Sequence, residues 1–151
     1  MIQRIQSIFL LLCSGSAFAA FLSPMEFFNV DKTKVTEAAS TLADGDFDIY
    51  DNNAVLGLVI ALGVFALISI FLFNNRKLQM SVTKLTIFLA ILVATFIGVF
   101  FYMDSSAINL TTSIMPSFGI GMPILCLIFG VLAHRGINKD EKLVKSMDRL
   151  R

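Results

Sequence analysis

From Ala54 to Phe73 the chain reads AVLGLVIALGVFALISIFLF, with no charge and a single hydroxyl at Ser69. A helix rising about 1.5 Å per residue crosses a hydrocarbon core in about 20 such residues. In hydrocarbon every backbone N–H and C=O must find its partner inside the segment, so this stretch is committed to helix and, by its length, to a bilayer. Two further blocks qualify. Leu85–Met103 is polar only at Thr86, Thr95 and Tyr102, and Ile114–Ala133 carries Pro116, Gly119, Gly121, Pro123 and Gly130. Pro123 to Ala133 is too short to cross alone, which predicts one helix over 114–133, kinked near FGIGMP, with the lost hydrogen bond made good by neighbouring helices. Apolar residues are 56% of the chain and charged ones 15%, against about 45–50% and about 25% in soluble domains. The apolar excess sits in these blocks rather than being spread evenly, as a bilayer protein requires.

The first apolar block, residues 5–22, admits two readings. MIQRIQSIFLLLCSGSAFAAF has a basic start, a short apolar centre and an Ala-Phe-Ala ending, as a cleaved signal peptide has. A retained helix running through Ala20, Phe21 and Leu22 to a stop at Pro24 also fits, and either places residues 23–53 outside.

Charge sets the orientation. Ten of the twelve basic residues are Arg4, Arg76, Lys77, Lys84 and the six from Arg135 to Arg151, whereas 23–53 holds Lys32 and Lys34 against seven acids. Short loops rich in Lys and Arg stay in the cytoplasm. Both termini and the 74–84 turn are therefore expected inside, with 23–53 and 104–113 outside. The net charge of +1 gives no footprint for nucleic acid.

The expected fold is an all-α membrane protein: an antiparallel bundle of four transmembrane helices with spans at about 5–22, 54–73, 85–103 and 114–133. A ~30-residue outer loop at 23–53 and a short cytoplasmic amphipathic C-terminal helix complete it, dividing the chain into a membrane domain (1–134) and a tail (135–151). Small residues at helical spacing, Gly15 with Ala19, Gly57 with Ala61, and Ala90 with Ala94 and Gly98, are expected to let backbones approach within the bundle or, alternatively, in a homodimer. In the outer loop, Val35, Ala38, Ala39 and Leu42 fit one face of a short helix, and Glu26–Val30 and Phe47–Tyr50 fit short strands.

In the tail, Asn138 and Glu141 have capping-box spacing, and Leu143, Val144, Met147 and Leu150 share one face. This predicts a helix lying on the inner membrane surface. Arg76, Lys77, Arg135, Lys139, Lys142, Lys145, Arg149 and Arg151 are the candidate membrane-interface residues. Anionic lipid adds about 1 kcal/mol per nearby basic residue, diluted here by Asp140, Glu141 and Asp148, so the tail reads chiefly as a topology anchor.

MIQRIQSIFLLL at the start, NRKLQ at 75–79 and RGINKDEKLVKSMDRLR at the end resemble a family of small bacterial four-helix membrane proteins, catalogued as domain of unknown function 4293. The resemblance spans essentially the whole chain. It implies retention of the first helix, because the family begins with the same Met-Ile-Gln-Arg-Ile-Gln run, and FGIGMP looks like the family's Pro-bearing last helix. It implies no activity. His134 stands where an amide is more often found.

No Asp, Glu, Lys, Arg or His lies within a predicted span, which removes the membrane-embedded carboxylate that proton-coupled export uses. Cys13 and Cys126 fall at similar depth and would meet if the first and last helices touch, but as single buried thiols they read as core. Asp44, Asp46 and Asp48 alternate like the start of a calcium loop, yet Ile49 and Val55 stand where that loop wants Gly and Glu, so the stretch reads as a solvated acidic loop. His134 reads as an interfacial rim residue. With no phosphate loop, nucleophile elbow, zinc spacing or cofactor motif, the expected function is a non-enzymatic scaffold or accessory subunit of the bacterial inner membrane. It would contact the bilayer and a membrane-protein partner or a second copy of itself. The alternative is a lipid-handling or small-molecule transport protein with a cavity beside the Gly119–Pro123 kink.

Overall fold

The computed structural model describes residues 3–22, 26–29, 46–107 and 115–148. The chain is mostly helical, and four helices carry it: α1 (Gln3–Ala19), α2 (Asn53–Phe71), α3 (Arg76–Ala107) and α4 (Gly121–Asp148). Stretches within Asn53–Asn74, Arg76–Met103 and Phe118–Met147 are long and apolar enough to cross a membrane, whereas α1 is a shorter apolar helix of 17 residues. The span expected over 5–22 stops early because Ala20, Phe21 and Leu22 tighten into i−3 hydrogen bonds of 2.9–3.3 Å.

Local chemistry sets the helix starts. Asn52 caps α2, its Oδ1 accepting from Ala54 N at 2.9 Å. After the 3₁₀ turn Leu72–Asn74, Asn75 Oδ1 accepts from Leu78 N at 3.3 Å and launches α3. Because so short a link joins α2 to α3, they form a hairpin, and its turn marks what we call the hairpin end.

The fourth helix corrects two expectations. Pro116 lies in a strand, and Pro123 occupies the first turn of α4, where a backbone N–H has no intrahelical partner to lose. No mid-helix kink results. The tail does not begin a separate helix at Asn138 either, since α4 runs unbroken from Gly121 to Asp148. The reason is packing: Cys126, Gly130, Ala133, Ile137 and Asp140 recur at spacings of three and four and are all buried. A break at Asn138 would peel Asp140 away from α1.

Each helix packs on two neighbours, α1 on α2 and α4, and α3 on α2 and α4. Gln6 meets Gly136 and Asp140, while Cys13 and Ser16 meet Cys126; Ile87 meets Gly130, and Phe18 meets Gly63. The close approaches are thus at Gly63, Gly130 and Gly136, together with the buried Ala17, Ala66, Ala90 and Ala133. Ala90 was among the small residues expected there. Gly15, Gly57 and Gly98 instead face outward, with no heavy atom within 4 Å of where a Cβ would stand.

Opposite the hairpin end, three two-residue strands form a sheet in the order β2-β1-β3: β1 (Phe28–Asn29), β2 (Asp46–Phe47) and β3 (Met115–Pro116), all antiparallel. The first two lie within or beside the expected strands but are shorter; the third, from the other loop, has no counterpart in the sequence reading. The expected helix over 35–42 falls outside the described residues. Phe27 N donates to Phe47 O at 2.8 Å, and Ser117 N to Phe27 O at 3.0 Å, extending the sheet's hydrogen bonding. Phe28 stacks on Phe101 of α3 with centroids 3.9 Å apart, and Phe47 meets the same ring edge-on at 6.0 Å.

Candidate functional site

The described residues concentrate their buried polar chemistry at the hairpin end. On α3, Gln79, Thr83 and Thr86 share a buried face at spacings of four and three. Gln79 Nε2 donates to Ser69 O of α2 at 3.1 Å, and Thr83 Oγ1 donates to Gln79 O at 2.8 Å. With the Thr83 proton so placed, Ser69 Oγ is the donor in the 2.8 Å contact between the two hydroxyls. Ser69, the sole hydroxyl of its span, is fully buried because it has this partner.

Asp140 lies one turn past Ile137 on the buried face of α4 and is 8% exposed. Gln6 of α1, itself buried, donates from Nε2 to Asp140 Oδ2. Arg76, the first residue of α3, completes the cluster: its Nη1 is buried and has no hydrogen-bond partner among the described residues. Arg76 and Asp140 both line a cavity of about 10 Å³, with Gln6, Ser7, Phe73, Gln79 and Ile137 as its other walls. The cluster thus joins a donor-only guanidinium and an acceptor-only carboxylate around one cavity, within a frame of amides. It supplies hydrogen bonding and charge complementarity, with the Ser7 hydroxyl as a further polar wall.

The two cysteines meet, as the depth argument anticipated. Cys13 Sγ lies 3.5 Å from Cys126 O, Cys126 Sγ lies 3.4 Å from Cys13 O, and Ser16 Oγ is 3.0 Å from Cys126 Sγ. Both thiols are free and buried in the apolar core. His134 is half-buried on α4, with Nδ1 shielded from water and unpaired among the described residues.

The candidate interface residues divide. Lys77, Arg135, Lys139, Lys142 and Lys145 are exposed, and Lys145 Nζ pairs with Glu141 Oε1 at 3.2 Å, one turn away. Arg76 is less exposed than these: it is half-buried, its Nη1 is shielded from water, and it lines the cavity of the cluster. Arg149 and Arg151 lie outside the described residues. Gln6 and Gln79 were not singled out from sequence, and Asp140 figured there only as one of three tail acids among the basic residues. The signal for Asp140 was present in the spacing that continues from Ala133 through Ile137.

In the acidic loop, Phe47 and Ile49 are buried while the alternate Asp46 and Asp48 are half-exposed. Asp48 Oδ1 accepts from Tyr50 N, and Asp51 Oδ2 from Asp48 N, each at 2.6 Å. These carboxylates are turn-formers as well as charges; Asp44 lies outside the described residues. Beside Pro123, where a ligand cavity was the alternative expectation, the space between Ala17, Phe27, Leu62, Val93 and Cys126 is about 10 Å³. A site for a drug-sized ligand is typically about 300–1,000 Å³.

A family model described as Domain of unknown function (DUF4293) matches residues 2–150. No curated protein and no solved structure matches the chain.

Proposed function

On the premise that the chain belongs to this family of domains of unknown function, we propose that it is a multi-pass protein of the bacterial inner membrane, an antiparallel four-helix bundle that serves as a non-enzymatic scaffold or accessory subunit. One observation carries the membrane placement. The exposed face of α4 is aliphatic at Ile124, Ile128, Val131 and Leu132, then cationic at Arg135, Lys139 and Lys142. On α3 the same change runs between Lys77, Ser81 and Lys84 on one side and Leu85, Phe88 and Ile91 on the other. Soluble helices do not present such bands to water, and the cationic side of the boundary favours the cytoplasm.

Pairings that rise along one helix while falling along its neighbour support the antiparallel arrangement. Retention of α1 is supported by what it buries, Leu10, Cys13 and Ala17 among others, since its removal would strip one wall from the core. The scaffold reading draws on the small size, about 10 Å³ each, of the cavities at the Arg76 cluster and beside Pro123, and on outward glycines at 15, 57 and 98, which offer flat faces to another helix. Arg135, Lys139, Lys142 and Lys145 then hold the inner boundary against lipid headgroups, joined from the tail by Arg149 and Arg151 and from the turn by Lys77.

Two measurements test this. In intact cells an impermeant maleimide should label Tyr50→Cys and spare Lys139→Cys; the reverse pattern overturns the orientation, and recovery in a carbonate-washable fraction overturns membrane insertion. Mild-detergent pull-down should recover a membrane protein in fixed stoichiometry, and consistent recovery of the chain by itself argues against a scaffold.

A further inference from the structure

The cavity at the hairpin end has walls that specify its occupant. Arg76 Nη1 is buried and unpaired among the described residues, and Arg76 lines the same space as Asp140, one carboxylate oxygen of which Gln6 already engages. The remaining volume of about 10 Å³ matches a single water-sized oxygen. A guanidinium only donates and a carboxylate only accepts, so a bridging atom must accept from one and donate to the other. A phosphate oxygen meets repulsion from Asp140, a metal cation meets it from Arg76, and an alkyl group leaves both charges unpaired. A neutral hydroxyl satisfies both.

We propose that Arg76 and Asp140 bind one neutral hydroxyl oxygen, supplied by a fixed water or by the headgroup of a hydroxylated phospholipid such as phosphatidylglycerol. The lipid source rests on the membrane placement proposed above; the water source does not. Lys77, exposed next to Arg76, is placed to take the phosphate of such a lipid, and half-exposed Phe73 at the cavity wall to meet its glycerol backbone. Bound this way, the oxygen ties the start of α3 to α4 and, through Gln6, to α1.

The test is a density map of the full chain in nanodiscs of phosphatidylglycerol and phosphatidylethanolamine, with native mass spectrometry of the same sample. The expected result is a single oxygen-sized feature within about 3 Å of both Arg76 Nη1 and an Asp140 oxygen. A phosphatidylglycerol retained by the protein and lost in Lys77→Gln identifies the lipid source. The same feature with no retained lipid identifies water. A direct contact between Arg76 and Asp140 with nothing between them overturns the proposal. Melting temperatures give an independent readout: Arg76→Gln, Asp140→Asn and the double variant should fall by nearly the same amount, because either change forfeits the shared oxygen. Losses that add overturn it. If the Asp140 variant does not fold, the map of the unaltered chain still decides.

Discussion

The two ends of the packed helices are closed by opposite means. At the sheet end, six backbone positions in three strands hold Phe28 and Phe47 against Phe101, with Phe27 against Phe47, so apolar area does the closing and short main-chain hydrogen bonds set the register. At the hairpin end, Ser69, Gln79 and Thr83 form one buried polar set, and Gln6, Arg76 and Asp140 another. Burying rings is tolerant of small displacements; burying amides and charges is not, because each unpaired group costs about 1–3 kcal/mol or more. The sheet end is therefore built for adhesion, and the hairpin end for a single arrangement of helices.

Substitutions should separate the two. Phe47→Ala should have the largest effect, about 3–5 kcal/mol by thermal unfolding in detergent, from a fully buried ring that the short strand cannot replace. If the loss is below about 1 kcal/mol, the rings only decorate that end. Asp140→Ala should cost about 1–3 kcal/mol, because buried Gln6 loses its acceptor. The paired change of Gln6→Leu with Asp140→Leu should recover part of that, and no recovery would mean the cluster does not act as a unit. Ser69→Ala should cost about 0.5–1.5 kcal/mol, with Thr83→Val adding little to it, since the two share one hydrogen bond. Gly57→Ala should be the mildest, a gain of about 0.5–1 kcal/mol from helix propensity into open space. A loss there would show that the outward face is occupied by another helix.

What sequence reading captured is what hydropathy captures. The blocks 54–73 and 85–103 each fall inside one helix or its closing turn, since a run of apolar residues commits its own backbone without reference to the rest of the chain. The meeting of Cys13 with Cys126 followed from counting rise per residue. What escaped was non-local. Gln6 and Asp140 are 134 positions apart, and neither is unusual where it stands. Strand β3 exists only because β1 offers it an edge, so Met115 and Pro116 carry no strand signal of their own. The spacing of Gly15, Gly57 and Gly98 is helical whichever way the face points, and period alone does not reveal direction. Asn138 has the chemistry of a cap, but the buried stripe that continues to Asp140 outweighs it.

Because α4 is a single rod of about 42 Å, its two extremities move together. Four residues, Ser117 to Ile120, separate its first turn from the strand that closes the far side of the molecule. Anything that grips Lys139 or Lys142 and tilts the shaft therefore works as a lever on Pro116 and, through it, on Phe28. The same stiffness runs in reverse, so an event at the sheet would register at the charged stub without any loop between to absorb it.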